Sequence, residues 1–282
     1  MKNFRLILVL ATIVMTAVSC GPKKTQKIKE KIPYKMLVVY YSQTSNTKAV
    51  ATEIATRLNA DLEEIVPLEP YENDFQATVE RGKKELEEGV RPKIQPLKVN
   101  VADYDIIFVG YPIWFGTYAM PMWTFLDQVS LSGKKVVPFC TFGSGGLESS
   151  VRDLAKAQPE ANILSGYGVR AARMDAMPQE IDQFLKAGGF IDGQYTQLGD
   201  FTEQQAVSEE ETAIFEAAVG DYPMIHAKAE TAGMRAIPGG KEYLFIASDL
   251  PREDRPDMPL GRMKVYVTVL NGKAPVFTRV VR

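Results

Sequence analysis

Residues 42–47 carry the side-chain types that can bind an anion without a positive charge. The segment is Ser-Gln-Thr-Ser-Asn-Thr, and the first basic residue, Lys48, follows it directly. Hydroxyl and amide groups, together with the unpaired backbone N–H groups of a helix start, form a site suited to a phosphate. The same residue types are common at helix N-caps, so composition alone also allows a capping turn without a ligand. We call this segment the first loop.

Two further segments place aromatic residues and glycines together. The second loop, residues 110–121, contains Trp114 and Phe115 beside Gly116. The third loop, residues 141–146, is Thr-Phe-Gly-Ser-Gly-Gly. Aromatic residues next to glycine and proline are unusual in a pure core segment, and glycines allow the backbone to approach a flat ring closely. The alternatives are that Trp114 packs in the core and that the third loop is only a surface turn.

Other chemistry finds little support in these loops. Ser144 is the candidate nucleophile, but the only histidine of the chain is the distant His226. A Ser-His-Asp mechanism and a His-rich metal site are therefore not expected. The glycines of the third loop also miss the dinucleotide-binding fingerprint, because the third glycine comes one position early. We predict no catalytic residue and no metal site.

The segments that must position these loops alternate between strand and helix patterns. Apolar runs typical of strands buried on both faces are followed by segments with apolar residues at helical spacing. This order predicts an α/β domain with a doubly wound parallel five-stranded sheet, and each loop follows the carboxyl end of a strand, where such sheets bind ligands. The predicted strands are residues 36–41, 61–66, 105–110, 135–140 and 162–170, and the predicted helices are 47–58, the centre of 71–89, 122–129, 147–157 and 177–187.

The pattern changes after residue 189. Ser208 and Glu211 form a capping-box signature for a helix that ends near residue 219. Asn271 and Gly272 are a hairpin signal. We predict a smaller α+β domain over residues 195–282, with one helix and about four antiparallel strands. The predicted strands are residues 224–234, 242–248, 263–270 and 275–281.

The run from Val38 to Ala51, with the first loop at its centre, resembles the N-terminal signature of the flavodoxin family. The likeness continues over roughly residues 36–187 and implies that a domain over residues 35–188 binds FMN. The first loop would then wrap the phosphate, although Ser45 stands where the family usually has Gly or Ala. Trp114 or Phe115 would stack on the flavin, and the third loop would cover its other edge. The cofactor-binding residues that the resemblance implies are Ser42, Thr44, Ser45, Asn46, Thr47, Pro112, Ile113, Trp114, Phe115, Gly116, Thr141, Phe142, Gly143 and Gly146.

The loops contain no obvious general acid or base, which favours electron transfer over a substrate-specific reaction. The redox partner would be a protein or a small-molecule acceptor. Two alternatives stay open: an FMN-dependent quinone or NAD(P)H oxidoreductase, and a degenerate flavodoxin scaffold whose C-terminal domain binds a partner. Cys140, at the end of an apolar run, is interpreted as a core thiol.

The N-terminus has the features of an export signal. A short basic region precedes an apolar run over residues 6–15, and small residues come directly before Cys20. This resembles a bacterial lipobox, which implies a signal peptide over residues 1–19, a lipidated Cys20 and a flexible tether over residues 20–34. Acyl chains would hold the protein at the cell envelope of a bacterium, on the periplasmic or outer-membrane side. A plain secretory signal with an incidental cysteine is the alternative.

The whole chain has a formal net charge of −2, which does not indicate a nucleic-acid partner. The C-terminal domain resembles a cystatin-like fold in its order of helix and strands. Residues 236–240 stand where cystatins carry Gln-x-Val-x-Gly, but Ala236 and Pro238 replace the Gln and the Val. Protease inhibition is therefore not expected, and packing or partner docking is the predicted role.

Overall fold

The computed structural model describes residues 34–220, 222, 225–251 and 260–282. The predicted signal peptide, Cys20 and all of the tether except Tyr34 lie outside the described residues, as does residue 224 of a predicted strand. Residues from Tyr34 to Arg282 belong to one compact unit. None of the helices in this part of the chain is both long and apolar enough to cross a membrane.

The first part of the unit is the predicted doubly wound α/β domain, with parallel strands in the order β2-β1-β3-β5 followed by β6 and β7. A two-residue strand, β4, pairs antiparallel with β3. The strands are β1 (Met36–Tyr40), β2 (Asp61–Glu64), β3 (Ile106–Trp114), β4 (Thr117–Tyr118), β5 (Lys135–Phe142), β6 (Asn162–Ile163) and β7 (Tyr167–Arg170). The helices are α1 (Asn46–Leu58), α2 (Phe75–Glu88), α3 (Met120–Gln128), α4 (Leu147–Ala157) and α5 (Met177–Ala187).

Both faces of the sheet are buried, as the apolar runs predict. Alternate residues of β1 face opposite sides, because side chains alternate along a strand. Leu37 and Val39 pack in the core that α3 and α4 cover. Val38 and Tyr40 pack in the core that α1 and α5 cover. Because the strands between the two layers of helices are parallel, their carboxyl ends lie at one edge of the sheet, where the three loops emerge.

The predicted fifth strand is interrupted, and Pro138 explains the gap. Strand β5 pairs with β6 through Val136 and resumes pairing with β7 at Phe139. Proline has no N–H group to donate to a neighbouring strand, so the ladder breaks beside it. Gly166 lies between β6 and β7, next to Pro138. An added Cβ at this position would lie 2.8 Å from the Pro138 carbonyl oxygen.

The C-terminal part forms the predicted α+β domain, a five-stranded antiparallel sheet covered by one helix. The capping box of Ser208 and Glu211 is present and begins the helix. The predicted hairpin at Asn271 and Gly272 joins the last two strands. A two-residue strand before the helix was not predicted and adds the fifth member. The elements are β8 (Gln205–Ala206), α6 (Glu209–Val219), β9 (Ala227–Ile237), β10 (Gly240–Asp249), β11 (Arg262–Leu270) and β12 (Val276–Val281).

Candidate functional site

The N-terminus of α1 opens into a cleft at the carboxyl ends of the parallel strands. Ser45 is the N-cap residue, with φ 65° and ψ −6°, and its side chain makes no capping hydrogen bond within the described chain. Thr44, Ser45 and Asn46 all line the cleft. The first N–H groups of a helix have no partner in the helix and form the positive end of its dipole. This helix start is therefore available to an anion.

Two predicted phosphate ligands of the first loop, Ser42 and Thr47, lie beside the cleft lining and have hydrogen-bond partners within the protein. Ser42 and Thr47 are not among the cleft-lining residues of the described chain. The Ser42 hydroxyl accepts a hydrogen bond from the Lys48 N–H at 3.2 Å. The buried Thr47 hydroxyl lies 2.7 Å from that of Thr141. Thr47 stands three positions before Val50 on the buried face of α1, so helical spacing turns its side chain away from the cleft. The same spacing could have been used in the sequence to assign Thr47 to the buried face of the helix.

The second loop is a tight hairpin rather than an open loop, because β3 continues to Trp114. Trp114 pairs with Thr117, which leaves Phe115 and Gly116 as a two-residue turn. Their φ values are 52° and 82°, as a type I′ turn requires. Phe115 is 45% exposed at the rim of the cleft. The predicted residues Pro112, Ile113, Trp114, Phe115 and Gly116 all line it.

Trp114 also belongs to an aromatic cluster. Its ring lies edge-on to Tyr41 and Tyr71, with centroids 5.8 and 5.0 Å away. The Tyr71 hydroxyl donates to Glu85, and Arg81 Nε donates to the other carboxylate oxygen at 2.8 Å. Burial raises the pKa of Tyr41 and of Tyr71 far above the ordinary value, and for Tyr71 the bond to Glu85 adds to the effect. Trp114 therefore packs in the domain and also faces the cleft.

The third loop begins inside β5, because the strand runs on through Thr141 and Phe142. Gly146 has φ 118°, and an added Cβ would lie 2.6 Å from Cγ2 of Ile113. The third loop thus packs directly against the segment that carries the aromatic turn. The predicted residues Thr141, Phe142, Gly143 and Gly146 all line the cleft.

Several groups of cleft residues were missed by sequence reasoning, and two of them stand out. One is the start of α2, where Phe75 is 82% exposed, an unusual position for a phenylalanine. The other comes from the C-terminal domain and consists of Tyr222, Val280, Val281 and Arg282. No local pattern reveals this second group, because it depends on how two domains pack.

The cleft has a volume of about 1100 Å³ and carries both signs of charge. Arg282 at its edge donates to Asp249 at 2.8 Å. The charged residues that line it are Glu72, Asp74, Glu148, Arg152 and Arg282. Cys140 is fully buried below the third loop, and burial raises the pKa of its thiol, with a smaller effect from Glu148. The prediction of a core thiol is confirmed.

An open parallel sheet with helices on both faces, and a cleft at the carboxyl ends of its strands, defines the doubly wound α/β class, whose members bind ligands at that edge. Residues 35–182 match the family model described as Flavodoxin. The match spans more than half of the chain, and the protein belongs to the flavodoxin family.

Several solved structures are similar to this chain. A protein of Bacteroides eggerthii described as a flavoprotein has 32% identity and a TM-score of 0.49, over 55% of this chain and 97% of its own. A protein of Bacteroides uniformis with the same description has 28% identity and a TM-score of 0.48, over 53% and 98%. A flavoprotein of Lactobacillus acidophilus, crystallised with FMN, has 26% identity and a TM-score of 0.44, over 48% and 93%.

Proposed function

We propose that this protein binds FMN in the cleft and acts in electron transfer. The observation that carries the proposal is the open N-terminus of α1 in a member of the flavodoxin family. Backbone N–H groups at Asn46 and Thr47, with the side chains of Thr44 and Asn46, would hold the phosphate. The Phe115 turn and the third loop would lie beside the flavin ring.

The described residues fit this cofactor. Ser45 departs from the family pattern in residue type, yet it holds the left-handed conformation that glycine favours, so the shape of the first loop is kept. Gly143 and Gly146 line the cleft without side chains, which leaves room for a flat ring. Ligand pockets typically measure roughly 300–1,000 Å³, and this cleft, at about 1100 Å³, is slightly larger. When bound, FMN supplies one- and two-electron transfer, and the protein holds and shields it.

Titration with FMN and with riboflavin tests the proposal, because riboflavin lacks the phosphate. We expect stoichiometric retention of FMN with quenching of its fluorescence, and weaker binding of riboflavin. Asn46→Asp places a negative charge at the helix start, which suits the helix dipole but repels a phosphate. This variant should therefore lose about tenfold in FMN affinity, a modest Coulomb penalty near a surface, with riboflavin binding unchanged. Wild-type protein that retains no FMN would support the degenerate-scaffold alternative.

The reaction is proposed to be electron transfer to a redox partner protein or a small-molecule acceptor. The support is chemical: the three loops offer hydroxyls, amides, aromatic rings and glycines rather than an acid–base pair. Steady-state oxidation of NADH or NADPH with a quinone distinguishes a carrier from an oxidoreductase. Steady oxidation of NADH or NADPH without an added protein partner would overturn the role of electron carrier and favour an oxidoreductase.

We further propose that Cys20 is lipidated and tethers the protein at the bacterial cell envelope. The support is the order of basic region, apolar run and small residues before the cysteine. Expression in a bacterium, detergent phase partition and mass spectrometry test it. We expect Cys20→Ala to move the protein from the detergent to the aqueous phase, and an unmodified wild-type cysteine would exclude the anchor.

We also propose that the two domains span residues 35–188 and 195–282. The second domain is proposed to have a cystatin-like fold. The support for the fold is one helix packed on a five-stranded antiparallel sheet. Limited proteolysis tests the bounds, since cleavage should concentrate in the segment between residues 188 and 195. Cleavage that falls first inside either domain would contradict them.

A further inference from the structure

Strand β12 of the C-terminal domain runs directly along the third loop. The Val280 N–H donates to the Ser144 carbonyl at 2.7 Å. Gly145 faces the same residue, and an added Cβ there would lie 2.0 Å from the Val280 carbonyl oxygen. β12 is an edge strand of its sheet, so this contact satisfies backbone groups that the edge would otherwise leave open.

Arg170, at the end of β7, ties the same loop to the C-terminal domain. Its Nε donates to the Gly143 carbonyl and its Nη1 to the Phe277 carbonyl, both at 2.8 Å. The guanidinium also lies over the rings of Phe277 and Tyr222, at 4.4 and 4.7 Å from their centroids. A planar guanidinium suits this position because it can donate in two directions while its face contacts a ring. Within the described chain, Arg170 is not among the residues that line the cleft.

We propose that Arg170 and β12 form a clamp that fixes the third loop for FMN, so that the C-terminal domain is a working part of the flavin site. The inference rests on the proposed function. Arg170 is a positioning residue, because it acts on the cofactor through the Gly143 peptide. Three of the six loop residues are glycines, which lose the most conformational freedom when ordered. A clamp that orders the loop in advance lowers the cost of binding.

The clamp can be measured in the full chain without FMN. The exchange rate of the Val280 amide proton reports its bond to Ser144. We expect Arg170→Ala to raise that rate about tenfold, the loss of about one charge-assisted hydrogen bond, and Arg170→Lys to raise it less. Arg235→Ala is the matched control: Arg235 likewise donates from two nitrogens, both to Glu242, and lies over the ring of Phe201, but neither of these partners belongs to the third loop.

FMN binding is then measured on the same variants. Arg170→Ala should weaken FMN about tenfold, since the same bond is lost, and shift the flavin midpoint potential, whereas Arg170→Lys should recover part of both and Arg235→Ala should change neither. Gly145→Ala tests the other side of the contact, because its methyl group must displace β12, and it should also weaken FMN. If Arg170→Ala and Gly145→Ala both bind FMN as tightly as the wild-type protein, the clamp is overturned but the proposed function is not. Wild-type protein that binds no FMN would overturn the proposed function instead.

Discussion

Ser45 and Phe115 hold left-handed backbone conformations at two corners of the cleft, with φ 65° and 52°. Such conformations disfavour residues with a Cβ, and a bulky residue such as phenylalanine is rarely found there. Strain of this kind tends to persist where the surrounding structure fixes a ligand site. From the sequence, Ser45 is seen to replace the Gly or Ala of the family pattern, whereas no residue pattern marks Phe115 as left-handed.

Ser45→Gly should leave the free energy of unfolding unchanged or raise it by up to about 1 kcal/mol, because relief of the left-handed conformation opposes the greater freedom of glycine in the unfolded chain. Ser45→Val should lower it by about 2 kcal/mol, since a branched side chain fits this conformation poorly. Urea denaturation without FMN measures both changes.

Asn59 provides the control for this experiment, because it caps the opposite end of α1 with φ 49°. Asn59→Val should also lower stability while FMN affinity stays at the wild-type value. Ser45→Val should lower both the stability and the FMN affinity. Equal effects of the two variants on FMN affinity would show that the loop conformation of Ser45 has no special part in binding.

At the scale of elements, one buried hydroxyl pair joins the first and third loops. Thr47 of α1 and Thr141 of β5 are 1% and 4% exposed, and their hydroxyls lie 2.7 Å apart. Both residues are almost fully buried, so each hydroxyl depends largely on the other for a hydrogen-bond partner. The pair therefore sets the distance between the helix start and the strand end that flank the cleft.

Thr47→Val and Thr141→Val should each cost about 1–3 kcal/mol of unfolding free energy, because each leaves a buried hydroxyl without its partner. The double variant should cost less than the two single changes together, by about 1 kcal/mol.

Thr268 and Thr278 provide the control, because they form a similar buried pair at 3.0 Å in the C-terminal sheet. Valine variants there should lower stability without changing FMN affinity. Strict additivity at Thr47 and Thr141 would disprove the coupling.

The elements themselves were largely predictable, since strands buried on both faces appear as apolar runs, and helices appear as segments with apolar residues at helical spacing. The interruption beside Pro138 was visible in the sequence but was not used. The turn at Phe115 and Gly116 carries none of the Asn-Gly or Asp-Gly signals of a type I′ turn, so the extension of β3 was missed. Local signals thus located the loops but not their shapes.

At the scale of the whole molecule, the described residues form three hydrophobic cores. The first two contain many buried tyrosines, and burial raises the pKa of Tyr41, Tyr71, Tyr111 and Tyr167 above the ordinary value. In the unfolded chain these groups titrate near pH ~10. The folded state therefore prefers their neutral forms, and the stability that depends on them is complete below pH ~10 and is lost as pH rises further.

The free energy of unfolding should accordingly fall steeply above pH ~10, with each such tyrosine contributing up to about 1.4 kcal/mol per pH unit. Urea denaturation at a series of pH values measures this, and absorbance at about 295 nm follows tyrosine ionisation. Tyr111→Phe removes one of these groups together with its 3.3 Å bond to Ser150, and it should reduce the slope. A slope unchanged by this variant would contradict the assignment to buried tyrosines.

The contribution of the C-terminal domain to the cleft lay beyond sequence reasoning. Its helix and strands follow from their own patterns, but the position of Val280 against Gly145 follows from how the two domains pack. The missing side chain at Gly145 is meaningful only once its neighbour is known. The same glycine looks in the sequence like any other residue of a flexible loop.

The clamp brings together parts of the chain that are far apart in sequence. Arg170 and Phe277 are separated by 107 positions. Contacts of this range form late during folding, because each must close a long loop before it gains any stability. We therefore expect a refolding chain to complete the proposed flavin site only in a late step, when the C-terminal sheet has formed. Any delay in folding of the C-terminal sheet would appear as slow flavin uptake, even when the flavodoxin domain is already formed.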